Sequence, residues 1–163
     1  MKGKPRWWVW VLVGCAGLMA NVLLLVVGVV AFAMPNEEPS TIGERCGGFL
    51  GTTCERLYPE TIECAAAMRL PPGTVIESSA YDQFQDWRLT AVFVVPAAGV
   101  AEWERSLQAY PKPTSGSCRG LEGRGADRAC ATTGKPGDPP IRRYTRATQP
   151  DGWVLVEVEV FTI

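Results

Sequence analysis

From Trp7 to Met34 the chain runs for 28 residues without a charge, and 24 of them are hydrophobic. A run of this length and composition constrains where the rest of the chain can sit. A membrane-spanning helix needs about 20 apolar residues, and a rise of about 1.5 Å per residue leaves this one room to tilt. Asn21 is its one strongly polar side chain, and Trp7, Trp8 and Trp10 stand where an interfacial aromatic belt belongs. Lys2, Lys4 and Arg6 precede the run, whereas Glu37 and Glu38 follow it and the next basic residue is Arg45. Positive charge stays on the cytoplasmic side, which predicts residues 1–6 inside, 7–34 as a single-pass signal anchor and the remainder outside the cytoplasmic membrane. Two other readings compete. Ala31-Phe32-Ala33 offers the small residues that a signal peptidase checks, so cleavage before Met34 would yield a secreted protein, although signal-peptide apolar cores are commonly about 7–15 residues. Leu12-Val13-Gly14-Cys15 resembles a lipobox, but the residues after Cys15 stay apolar where a lipoprotein turns polar.

After the first 34 residues, 129 remain, of which about 40% are hydrophobic, and that length suits one domain. The chain has no histidine, which removes imidazole bases, Ser-His-Asp and Cys-His nucleophile systems and the commonest transition-metal ligand. All 17 acidic residues lie beyond Met34 and give this part a net charge of −4, which is not the balance of a nucleic-acid binder. Residues 35–45, with two prolines and no apolar periodicity, read as a tether, and the domain is expected over 46–163.

Pro59 opens a helix expected to reach Leu70, where Pro71-Pro72-Gly73 stops it. Thr74–Tyr81 is rich in β-branched residues and reads as a strand, followed by a polar connection over 82–86. Trp87–Val95 is the clearest strand: Leu89, Ala91, Phe93 and Val95 share one face, and Arg88, Thr90, Val92 and Val94 the other. Val100, Trp103, Leu107 and Tyr110 form an amphipathic helical stripe closed by Pro111. Residues 112–140, with six glycines and four prolines, read as one long loop. Two strands, 141–148 and 153–163, follow around the turn Gln149-Pro150-Asp151-Gly152. The order helix–strand–strand–helix–strand–strand predicts an α+β domain built on a small antiparallel sheet.

The segments Leu70-Pro71-Pro72-Gly73-Thr74, Asp86-Trp87-Arg88-Leu89-Thr90 with Val95-Pro96, and the helix ending in Ser106-Leu107 resemble those of small, uncharacterised exported or membrane-anchored proteins of actinobacteria. The excess of arginine over lysine, 12 to 4, is similar to that of proteins from GC-rich genomes. The resemblance covers roughly residues 65–110; it implies a location in the cell envelope and no particular activity.

Five cysteines follow the apolar run, and an oxidising compartment favours disulfides. Cys118 and Cys130 bracket the middle of the Gly-rich loop and are expected to be joined. Cys46 and Cys54 flank a flexible Gly-rich segment and form the preferred second pair, with Cys46–Cys64 as the alternative and Cys64 otherwise a buried free thiol. Without Cys-x-x-Cys spacing or histidine, no metal site, cofactor or catalytic constellation is expected. A carboxylate mechanism, with Asp82 and Asp86 beside Trp87 as in glycoside hydrolysis, is the enzyme class left standing. Residues 119–146 carry a net charge of +4, so Arg119, Arg124, Arg128, Arg142, Arg143 and Arg146 are expected to form an anion or partner surface. The chain thus reads as a membrane-anchored extracytoplasmic binding module. Its expected partners, beyond the membrane that holds 7–34, are an envelope protein, a lipid head group or an anionic wall polymer.

Overall fold

The computed structural model describes residues 22–25, 38–48, 51–116, 118–135 and 137–162. The chain divides between Pro35 and Asn36 into two units. In the first, Val22, Leu23, Leu24 and Leu25 are helical and exposed. The rest of the anchor expected over 7–34 lies outside the described residues, as do 1–6 and 35–37. Among the described residues no helix is long and apolar enough to cross a membrane.

The second unit is one antiparallel sheet of eight strands: β1 (Gly43–Gly47), β2 (Thr52–Leu57), β3 (Val75–Gln83), β4 (Trp87–Val95), β5 (Thr114–Ser115), β6 (Ala126–Lys135), β7 (Asp138–Thr148) and β8 (Val154–Phe161). Their spatial order is β1-β2-β3-β4-β8-β7-β6-β5, two four-stranded meanders joined where β4 pairs with β8. Helix α1 (Pro59–Ala66) links β2 to β3, and α2 (Val100–Ser106), with a short 3-10 turn at either end, links β4 to β5.

Strand period 2 sorts side chains onto two unlike faces. Leu89, Ala91, Phe93 and Val95 of β4 and the valine row 154, 156, 158 and 160 of β8 pack with Tyr144 beneath Ile62 and Ala66 of α1 and Trp103 of α2. Phe93, Trp103 and Ile62 are completely buried, and a side chain of this kind contributes about 1.5–3 kcal/mol when fully removed from water. Trp103 and Tyr110 both stand edge-on to Tyr144, at centroid distances of 5.7 and 5.0 Å. The other face holds a much smaller cluster, in which Leu121 covers Ala147 and Leu155 beside Val92 and Val94.

Several expectations change. The stretch read as a tether contributes β1 from Gly43, and Glu38 already pairs with Cys46 through two backbone hydrogen bonds of 2.9 and 3.0 Å. Strands β1 and β2 escaped the pattern because they are short and mostly polar, β1 with glycine at both ends; the Cys46–Cys54 disulfide joins them at a directly opposed pair. Helix α1 ends at Ala66 rather than near Leu70, since Ala67 turns left-handed (φ 52°, ψ 47°) and the Glu63 carboxylate accepts the Leu70 N–H at 2.6 Å. The polar connection over 82–86 shrinks, because β3 runs on to Gln83 and pairs Asp82 with Arg88. The loop expected over 112–140 is mostly sheet: β5, β6 and the start of β7 occupy it. Strand β6 is rich in Ala and Thr, which carry no strand-like apolar alternation, and its partner β7 imposes the pairing.

Candidate functional site

Helices cover one face of the sheet. Across the other lies a strap, residues 118–125, held at several points. Cys118 is bonded to Cys130 of β6, the Arg119 carbonyl accepts the Thr145 hydroxyl at 2.6 Å, and the Leu121 N–H donates to a Glu157 carboxylate oxygen at 3.1 Å. Arg124 pairs with Glu77 at 2.6 Å, and Gln149 donates to the Arg124 carbonyl at 3.1 Å. Gly120 has φ +83°, a left-handed conformation that favours glycine, and it lies against the Glu157 carboxylate that holds Leu121.

The strap leaves the hairpin end of this face open. Arg88 and Thr90 of β4, Glu157, Glu159 and Phe161 of β8, and Arg143 of β7 all belong to it by alternation and register. A groove of about 530 Å³ is lined by Asp82, Phe84, Gln85, Asp86, Trp87, Arg88, Arg119, Arg143, Glu159, Phe161 and Thr162. At its floor the Glu159 carboxylate is taken from both sides: Arg88 reaches one oxygen and Arg143 the other, the latter at 3.0 Å. The Arg143 guanidinium also lies 5.8 Å from the centroid of the Phe161 ring. Arg88 remains 64% exposed in its side chain, and Arg119 makes no ion pair among the described residues. Three guanidinium groups thus share a groove with a stacking ring beneath one of them, and their planar forks suit carboxylate and phosphate oxygens. Farther along the same face a broader groove of about 960 Å³ is acidic, with Glu44, Glu55, Glu77 and Glu157 on its walls.

The six arginines expected to form one patch do not share a face. Arg142 and Arg146 point to the helical side, where Arg142 Nε donates to the Ala65 carbonyl at 2.7 Å in the last turn of α1 and Arg146 pairs with Glu104 of α2. Arg128 donates to the Gly120 carbonyl at 3.3 Å and sits near Glu122, so with Arg124 it braces the strap. Arg119 and Arg143 reach the groove, joined by Arg88, which the sequence reading assigned to no site. Asp82 and Asp86 also line it.

On the helical side, Ile42, Thr61, Cys64, Ala65, Tyr81, Trp87 and Leu89 line a mostly apolar depression beside α1. Cys64 is an exposed free thiol there, not the buried one expected: the Cys46–Cys54 pair leaves it out, and its position on α1 turns away from buried Ile62 and Ala66. Burial raises the Tyr81 phenol, which donates to Gln83 Oε1 at 2.8 Å. Among the described residues no cluster of three or more Cys, Asp or Glu is placed to hold a metal ion.

Fold and site together define a small α+β protein, with an eight-stranded antiparallel sheet, two disulfides, helices on one face and a strapped, polar groove on the other. Comparison of the chain with protein-family models, curated proteins and solved structures finds no match.

Proposed function

We propose that the chain is a membrane-anchored binding module, displayed outside the cytoplasmic membrane, that recognises an anionic ligand through the strapped face of its sheet. The observation that carries this reading is the meeting of Arg88, Arg119 and Arg143 in one open groove with Phe161 beneath Arg143. The strap supports it further: a disulfide-tied, hydrogen-bonded segment loses little conformational entropy on binding. Acidic wall polymers, lipid phosphates and acidic proteins are the anions such a surface would meet outside the membrane. Exposed guanidinium groups act through screened fields, so binding should fall steeply as salt rises. The test compares two variants of the protein for binding to anionic wall polymer and to anionic vesicles. Arg88→Ser/Arg119→Ser/Arg143→Ser is expected to lower low-salt affinity at least tenfold. Arg142→Ser/Arg146→Ser, on the helical face, is expected to leave it within about twofold. Equal binding by wild type and the triple variant, or no binding at low salt, overturns the reading.

A second reading, a carboxylate-based hydrolase, draws on the presence of both Asp82 and Asp86 in the same groove. Loss of glycoside turnover in Asp82→Asn/Asp86→Asn, with the fold intact, would favour it.

A further inference from the structure

The domain begins closer to the apolar run than its sequence implies. The two hydrogen bonds between Glu38 and Cys46 fix the chain at Glu38, so only residues 35–37 separate it from Met34. Four residue steps reach at most about 14 Å. Strand β1 runs toward its turn with β2, and that turn lies level with the end of β3, since Gly47 opposes Thr53 and Thr52 opposes Gln83. Glu38 pairs with Cys46, next to Gly47, so it lies near this same end of the sheet.

At that end the β3–β4 hairpin carries Phe84, which is 66% exposed in a tight turn closed by its N–H on the Asp86 carbonyl at 3.1 Å. An exposed aromatic ring on a hairpin tip is costly to leave in water and suits the interfacial layer of a bilayer. The groove holding Arg88, Arg119 and Arg143 opens at the same end, because Arg88 opposes Phe161 and Phe161 opposes Ile141.

We propose that this hairpin end, led by Phe84, rests in the head-group layer of the membrane that holds residues 7–34, with the three arginines turned toward lipid phosphates. The proposal rests on the anchor reading of that segment. Lipid is the occupant because the chain between Met34 and Glu38 is too short to carry this end far from the bilayer surface. Val75, 54% exposed at the opposite end of β3 and about 26 Å away by strand rise, stays in water.

The test uses the full chain with Cys15→Ala and Cys64→Ser, placed in nanodiscs of phosphatidylcholine and phosphatidylglycerol that carry a head-group quencher. An environment-sensitive fluorophore is attached through Gln85→Cys, which keeps Phe84, or through Val75→Cys. Quenching at position 85 is expected to exceed that at position 75 at least threefold, and Phe84→Asp should halve it or more. Equal quenching at both positions, in protein that stays with the discs through a carbonate wash, overturns the docking alone. Protein that leaves the discs in carbonate overturns the anchor reading and the docking with it.

Discussion

Tyr110 ties α2 to α1: its hydroxyl donates to the Ala66 carbonyl at 2.6 Å while its ring stands against Tyr144. Burial pushes the Tyr110 phenol far above its ordinary value of 10.0, with the nearby Arg142 charge opposing the shift and Tyr144 adding to it. Burial also raises Tyr144, opposed by Arg146 and reinforced by Glu104. The folded state therefore holds these protons more tightly than the unfolded chain does. That stability is complete below pH 10 and is lost as pH climbs from there toward the folded-state values. Tyr110→Phe is expected to cost about 1 kcal/mol at pH 7, mainly by leaving the Ala66 carbonyl unpaired, and to flatten the decline above pH 10. Urea midpoints at pH 7, 9, 10 and 11 check both. A single residue also shows where sequence reading stopped. Arg88 sits in a strand whose alternation was plain, but its partner Glu159 is 71 residues away, and only pairing of β4 with β8 reveals that they meet. The +4 segment drew attention to Arg142 and Arg146 instead, whose charges are spent on α1 and α2.

Elements were legible where burial was one-sided and strong. The rows Leu89-Ala91-Phe93-Val95 and Val154-Val156-Val158-Val160 mark the central strands β4 and β8 because each must line a core beneath helices. Elements away from the centre of the sheet gave no such signal: β1, β2 and β6 have few buried apolar residues, and pairing and cross-links hold them instead. Given an oxidising compartment, the disulfides were legible in the cysteine spacing, Cys118–Cys130 directly and Cys46–Cys54 as the preferred pair with Cys46–Cys64 as the alternative, since each observed bridge closes a short Gly-containing segment. Removing Cys118 and Cys130 together (Cys118→Ser/Cys130→Ser) should cost about 3 kcal/mol in the loop-entropy picture. It should also raise amide exchange at Leu121 and Thr145 while the helical face stays protected; equal protection in the variant would show that the staple does not hold the strap. Helix α1 carries a local conflict at its end, where Ala67 occupies a left-handed conformation that disfavours a Cβ by about 1 kcal/mol. Ala67→Gly is expected to raise stability by about 0.5–1 kcal/mol, read as a higher denaturation midpoint.

For the whole molecule, the unequal faces of the sheet organise the account. The helical face supplies the core, and the strapped face exposes the guanidinium groove; neither could be read from sequence, because the strap's course depends on β6, β7 and β8 lying side by side and the groove on β4, β8 and β7 doing so. Display outside the membrane is the claim on which the proposed ligand class depends, and the structure provides a reporter for it. Cys64 is exposed on α1, whereas Cys46, Cys54, Cys118 and Cys130 are joined in pairs. Intact cells making the full chain would be treated with a membrane-impermeant maleimide, with and without permeabilisation. The account predicts one labelled thiol in the outer domain, labelled equally in both conditions and absent in Cys64→Ser. Labelling of Cys64 only after permeabilisation, or labelling of Cys46, Cys54, Cys118 or Cys130 in unreduced protein, would contradict it.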